Sequence, residues 1–576
     1  MPSSSQVIGR LVAGRTGRSG RGWLLVSLCA GLVVILPIAG LMLEAMKGSA
    51  GLWGHLFSTI LPVALVDTVI LLLGVGLVTA TIGTSTAWLV TAYNFPGRRL
   101  LEWSLLLPLA VPTYIIAYAY LDILHPIGVV QGSIRWILGY ETLRQFRLPD
   151  VRSMAGCILL LGFVLYPYVY IPTRAMFLTQ SGNLVDAART LGVSRRAVFW
   201  RVALPLARPA VAIGIALALM ETLNDVGAAE FLGVRTLTVS IYTTWITRTD
   251  LPGASQIALA LLMVVLALVG LERFARRQQR YATDARRTRG LAQQEAGPVK
   301  GLFFLFAGAL PVLIGFIVPA IYLSTEAWKR YQFAGLSPRI LDEAVSTILI
   351  AALATAATVG FGLVVAYTNR VRPGRLSAMS LRISTMGYAA PGTVVAIGVL
   401  IVLAGLDRFI DRTASDWFGV STGLLFMGSG AALVYALTMR FLAISAGGIE
   451  AGLSRIPLSL DHASRTLGQS TQGTFRHVHL PLSKTAIAAA ALLVFVDCVK
   501  ELPATLLLRP LNVETFATHL YGEAARGTYE EASIAALAIV AISILPVILL
   551  SRVGRNEPDR SAKTFRQGEI PVHEAL

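Results

Sequence analysis

Inside otherwise apolar stretches the chain places five ionisable residues in two matched sets. Glu221 and Asp225 stand 276 residues ahead of Asp497 and Glu501, and Lys500 lies beside the second set. Ionisable groups at membrane depth face an interior cavity or pair with one another. Carboxylates are hard oxygen donors and would suit the transient passage of a highly charged cation such as ferric ion. A structural ion pair, Lys500 with Asp497, is the competing reading, and the sequence weighs the two equally. His477-x-His479 also invites a metal reading, but two histidines with no thiolate nearby make a weak site. Cys29, Cys157 and Cys498 are odd in number and have no disulfide or metal spacing, so no metal site is expected. The chain has no Gly-Lys dipeptide and therefore no Walker-type phosphate loop.

The elements that must hold these groups are membrane spans. Of 576 residues, 55% are hydrophobic and only 14% charged, against roughly a quarter charged in soluble domains. Twelve apolar spans are expected, near 23–43, 66–92, 103–123, 156–175, 208–227, 254–272, 301–323, 343–368, 385–405, 421–445, 484–508 and 532–551. The five ionisable residues then sit at the outer ends of spans five and eleven. The net charge of +17 comes from clusters on alternate loops, including Arg10–Arg21, Arg98–Arg99, Arg273–Lys300, Arg370–Arg382 and Arg552–Arg566. That is the positive-inside pattern and not a nucleic-acid surface. It places both termini in the cytoplasm, although Arg135, Arg144, Arg147 and Arg152 fall on a loop expected outside. Gly74-x-Gly76 reads as close helix packing. Pro108, Pro112, Pro311, Pro319 and Pro391 read as kinks within spans.

The halves repeat. Asn183-Leu-Val-Asp-Ala-Ala-Arg-Thr-Leu-Gly192 with Val202-Ala-Leu-Pro205 recurs without a gap as Ser459-Leu-Asp-His-Ala-Ser-Arg-Thr-Leu-Gly468 with Val478-His-Leu-Pro481. Pro96-Gly-Arg98 recurs as Pro373-Gly-Arg375, and Pro37, Glu44 and Lys47 recur as Pro319, Glu326 and Lys329. Six spans per half make the repeat parallel, with a pseudo-twofold axis along the membrane normal and a substrate path on that axis. The expected divisions are a basic N-terminal tail (1–22), a first half (23–272), a cytoplasmic linker (273–300), a second half (301–552) and a C-terminal tail (553–576). Each repeated loop, 176–205 and 447–481, reads as helix, turn, helix. Asn183 and Ser459 would be N-caps, Asp186 and Asp461 acids near the positive helix end, and Gly192 and Gly468 left-handed C-caps. Ser194 would cap the second helix, and Pro205 and Pro481 would limit how it joins the next span.

This loop resembles the EAA loop of ABC-importer permeases. The resemblance assigns Asp186, Ala187, Ala188 and Gly192, and Asp461, His462, Ala463, Ser464 and Gly468, to the surface on which an ATPase docks. His462 stands where the family usually has Glu. The block Lys500-Glu-Leu-Pro-Ala-Thr-Leu-Leu-Leu-Arg-Pro510, with Thr515-Phe-Ala-Thr and Tyr521, resembles the fused permeases of ferric-iron importers, as does Asn224-Asp-Val-Gly-Ala with Glu230-Phe-Leu-Gly and Thr236-Leu-Thr. The resemblance implies an all-α, bacterial inner-membrane permease that is no enzyme and binds no cofactor. ATP would be used by two copies of a cytoplasmic ATPase, and a periplasmic binding protein would deliver the substrate, most simply ferric iron. Thiamine, phosphonate, polyamine or oxyanion cargo on the same machinery is the alternative. A six-plus-six secondary transporter would explain the spans but not the paired loops.

Overall fold

The computed structural model describes residues 21–48, 53–179, 190–192, 194–277, 293–387 and 390–553. The first half comprises α1 (Arg21–Ala45), α2 (Leu61–Ala92), α3 (Arg98–Ser104), α4 (Thr113–Ile123), α5 (Met154–Leu165), α6 (Pro167–Thr179), α7 (Leu204–Asn224), α8 (Gly227–Phe231), α9 (Leu237–Ile246) and α10 (Leu251–Arg277). The second comprises α11 (Pro298–Val312), α12 (Val318–Ala334), α13 (Arg339–Val371), α14 (Arg375–Met386), α15 (Gly392–Phe418), α16 (Ala431–Ser454), α17 (Leu458–Thr466), α18 (Leu480–Val499), α19 (Pro503–Leu508), α20 (Phe516–Arg526) and α21 (Tyr529–Val553). Among the described residues, nine helices are long and apolar enough to cross a membrane, or eleven when two bent pairs each count as one span. The fold is all-α apart from a two-residue parallel pairing of Tyr93–Asn94 with Gln294–Glu295. That pairing fastens part of the 273–300 segment to the end of α2.

Several expected spans are interrupted, each for a local reason. The stretch expected as 103–123 turns through 93° before α4. Pro112 has no N–H to continue a helix, and Val111 before it is extended (φ −108°, ψ 121°). Pro391 likewise begins α15 instead of kinking a span, so the helices expected near 385–405 and 421–445 lie at Gly392–Phe418 and Ala431–Ser454. Spans five and eleven stop at Asn224 and Val499, just short of the break that carries Asp225 and Glu501. Gly74 packs as expected: a Cβ there would lie 2.5 Å from the Ile158 side chain.

The halves match atom for atom in places. Leu237 N–H donates to the Thr68 hydroxyl at 3.0 Å, and Phe516 N–H donates to the Thr347 hydroxyl at the same distance, 279 residues on. Four π-helical turns, Leu56–Ile60, Phe199–Ala203, Leu313–Ile317 and Phe475–His479, each end two residues before a proline: Pro62, Pro205, Pro319 and Pro481. The proline ring pushes away the carbonyl four residues back. The N–H of the residue before each proline reaches one residue further, as Leu204 does to Phe199 and Leu480 to Phe475.

Each half's opening helix packs on the other half. Ser27 of α1 hydrogen-bonds Ser380 of α14 at 2.8 Å, and Tyr435 of α16 donates to the Val33 carbonyl at 2.8 Å. In return, Tyr120 of α4 donates to Ile314 O and Tyr322 of α12 to Asp122 Oδ2, both at 2.7 Å. The two halves are thus interlocked.

Candidate translocation site

The break after α7 and the break after α18 meet between the halves and line a cavity of about 90 Å³. Glu221, Asp225, Asp497, Lys500 and Glu501 all line it, together with Asn224, Arg440, Val164, Thr113 and Tyr114. Asp225 accepts the Ala228 N–H at 2.8 Å, and Glu501 accepts the Ala504 N–H at 2.9 Å, so each carboxylate caps the short helix that follows it. Close approach is enforced by glycine. A Cβ on Gly227 would lie 2.6 Å from Tyr114, and one on Gly392 would lie 2.7 Å from Glu501 and 2.8 Å from Arg440.

The two carboxylates differ in their partners. Arg440 Nη1 lies 2.6 Å from Glu501 Oε1, with side-chain exposures of 7% and 1%. Thr505 gives Glu501 Oε2 two more hydrogen bonds, from its N–H at 3.1 Å and its hydroxyl at 2.9 Å. Glu501 is therefore a saturated buried ion pair. The first half has Val164 where the repeat places Arg440, so Asp225 has no such cation. Asp225 is 7% exposed, and its Oδ2 has no hydrogen bond of normal geometry. Lys500 pairs with Asp497 at 2.8 Å, as the structural reading expected. Asn224, the repeat counterpart of Lys500, accepts the Gly392 N–H at 2.8 Å and joins the halves. Arg440 was absent from the candidates read off the sequence. An arginine inside an apolar helix was the available signal.

In the first loop, Asn183, Asp186, Ala187 and Ala188 lie outside the described residues. Gly192 is left-handed (φ +81°), as is Gly468 (φ +78°). In the second loop α17 begins at Leu458 after Pro457, so Ser459 lies inside the helix and is not its cap. Asp461 lies in the first turn of α17, as expected of an acid near the positive helix end. It turns inward, 2.8 Å from Arg370 of α13, and hydrogen-bonds His479. His479 is buried and His477 exposed with Nδ1 on the Gly473 carbonyl, so the two do not converge on a metal. His462 and Ala463 are exposed; Ser464 is buried and hydrogen-bonds Thr474 at 2.8 Å. The Gly468 N–H closes the helix on Arg465 O at 3.0 Å. Ser470, and not Ser194, caps its following helix through the side chain, accepting from Gly473 at 3.1 Å. Leu467 at the tip is 81% exposed. Pro205 and Pro481 sit at the π turns that join these loops to α7 and α18.

The sequence matches the binding-protein-dependent transport system inner membrane component family twice, over residues 79–280 and 358–556. The chain belongs to this family. The two matches fall one in each half, each with one copy of the repeated loop and one face of the cavity, and the chain is a transport permease of the ABC-importer type. It is 24% identical to an Fe(3+)-transport system permease protein of Haemophilus influenzae over 92% of this chain and 98% of that one. A sulfate transport system permease protein of Salmonella typhimurium is 26% identical over 41% of this chain and 85% of its own. A molybdenum transport system permease protein of Escherichia coli is 30% identical over 33% and 81%. The family's single-unit members thus correspond to one half, and the fused chain carries both.

Proposed function

We propose that this permease imports ferric iron. The observation that carries the reading is the charge of the cavity. Glu221, Asp225, Asp497 and Glu501 face two cations, Arg440 and Lys500, and Arg440 is consumed by Glu501. A lining with surplus carboxylate attracts a cation and repels an oxyanion such as sulfate or molybdate. Alignment along almost the whole length of an Fe(3+)-transport permease supports the same cargo. In this reading a periplasmic binding protein releases iron to the outer face. Two ATPase subunits grip α17 and its first-half counterpart, and their closure rocks the halves about the axis. The chain itself binds no nucleotide and no cofactor.

Cells expressing the chain with its ATPase and binding protein should accumulate radioactive iron and leave sulfate and molybdate outside. Accumulation of an oxyanion instead would overturn the cargo. The orientation has its own check. With both termini, the linker and both loops in the cytoplasm, Gly290→Cys should resist an impermeant thiol reagent in intact cells and react after lysis.

A further inference from the structure

A second set of oxygen donors lies on the pseudo-twofold axis, beyond the carboxylate cavity. Tyr242 of α9 and Tyr521 of α20 are repeat counterparts, 279 residues apart, yet they touch each other, with ring centroids 6.3 Å apart. The axis therefore passes between them. The Tyr521 hydroxyl donates to Glu230 of α8, a hydrogen bond that crosses between the halves. Phe231 stacks on Tyr521 at 5.4 Å and holds its ring in place. Depth follows from the hydrogen bonds. The Thr238 hydroxyl donates to the Leu223 carbonyl at 2.5 Å, which puts the start of α9 level with Asp225. From there the chain continues through α9 to Gly253, which packs against Leu56. Tyr242, four residues past Thr238, stands about 6 Å farther along α9.

The carboxylate of Glu230 has no basic side chain within ion-pair distance among the described residues. Arg509, on the loop before α20, is held by Glu514 at 3.0 Å and by the Val513 carbonyl at 3.0 Å. The repeat counterpart of Glu230 is Leu506, so this acid occurs once. Two phenols and a carboxylate without a counter-ion, drawn from both halves onto the transport axis, form a set of hard oxygen ligands. We infer that Glu230, Tyr242 and Tyr521 are a binding station for ferric ion, met before the cavity; this rests on the ferric reading above. On binding, Tyr521 gives its proton to water and its oxygen to the metal. Glu230, freed from that hydrogen bond, becomes the second ligand, and Tyr242 supplies the third in the same way. Oxidation state does not change. Because the ligands join the two halves, iron replaces the Tyr521–Glu230 hydrogen bond with a metal bridge.

The test is titration of the purified full-length chain in detergent with ferric citrate, followed by the visible charge-transfer absorption of a ferric phenolate. Wild type should develop the band, saturating at one iron per chain. The double variant Tyr242→Phe with Tyr521→Phe keeps both rings and the Phe231 stack and should lose it. Glu230→Gln should move the midpoint by more than about tenfold. Tyr120→Phe, on a tyrosine outside the cluster, should leave the titration unchanged. No band in wild type, or an equal band in the double variant, overturns the station. Iron uptake by cells separates this from the cargo reading. Uptake without a band removes the station and leaves the cargo; a band without uptake removes the cargo.

Discussion

Glutamine at position 501 would leave Arg440 buried without a counter-charge. Breaking a buried pair by altering one partner costs about 3–5 kcal/mol, whereas replacing both with apolar groups is often nearly neutral. Glu501→Gln and Arg440→Met should therefore each lower the melting temperature of the purified permease. Glu501→Leu with Arg440→Met should recover part of that loss. Asp225→Asn should behave differently, lowering iron uptake while leaving the melting temperature and assembly with the ATPase close to wild type. A melting-temperature loss in Asp225→Asn as large as that in Glu501→Gln would place both acids in one structural network. The matched spacing of the repeat made these acids legible in the sequence as equivalents. Their difference was not legible, because it depends on Arg440, 61 residues from Glu501, whose first-half counterpart is valine. A repeat reveals what two halves share and conceals what only one of them has.

At the scale of elements, α17, the proposed docking helix, is anchored by one side chain reaching two spans. Asp461 joins α13 through Arg370 and the entry of α18 through His479. Asp461→Asn keeps the shape and removes the charge. It should reduce transport per ATP hydrolysed while hydrolysis by the assembled complex continues; an unchanged ratio would mean that α17 moves its spans by other contacts. Gly468→Ala meets no neighbouring atom, so its cost is backbone strain alone, about 1–2 kcal/mol for a left-handed residue. Partial loss of coupling is the expected result, measured as the same ratio. The helix–turn–helix form and its glycine turn were readable from spacing. The inward aim of Asp461 was not, because nothing local distinguishes a carboxylate that caps its own helix from one bonded to Arg370, 91 residues away. The π turns were half legible: proline marks the disturbance, but a kink, a break and a widened turn all begin with the same residue.

At the scale of the whole molecule, α1 and the α11–α12 segment are exchanged between halves, and the linker only has to keep the two units together. A permease expressed as two chains divided at 285/286 should therefore assemble and transport, with the halves co-purifying in mild detergent. Failure to co-purify would mean that the linker, through Gln294–Glu295 and its strand partner, does more than tether. The division into two like units was evident from the sequence. The exchange was not, since the repeat shows which helices correspond and says nothing of which half each one touches. It has a consequence for how the protein is made. Helix α1 enters the bilayer first, yet Ser380, to which Ser27 is bonded, lies 353 residues later in the chain. At a synthesis rate of about 5–20 residues per second, roughly twenty to seventy seconds pass before the α14 face that Ser27 bonds exists. Until then its contacts are those with its own half, where Gln256 of α10 donates to the Ala45 carbonyl at 3.0 Å. A helix made early thus completes its contacts late.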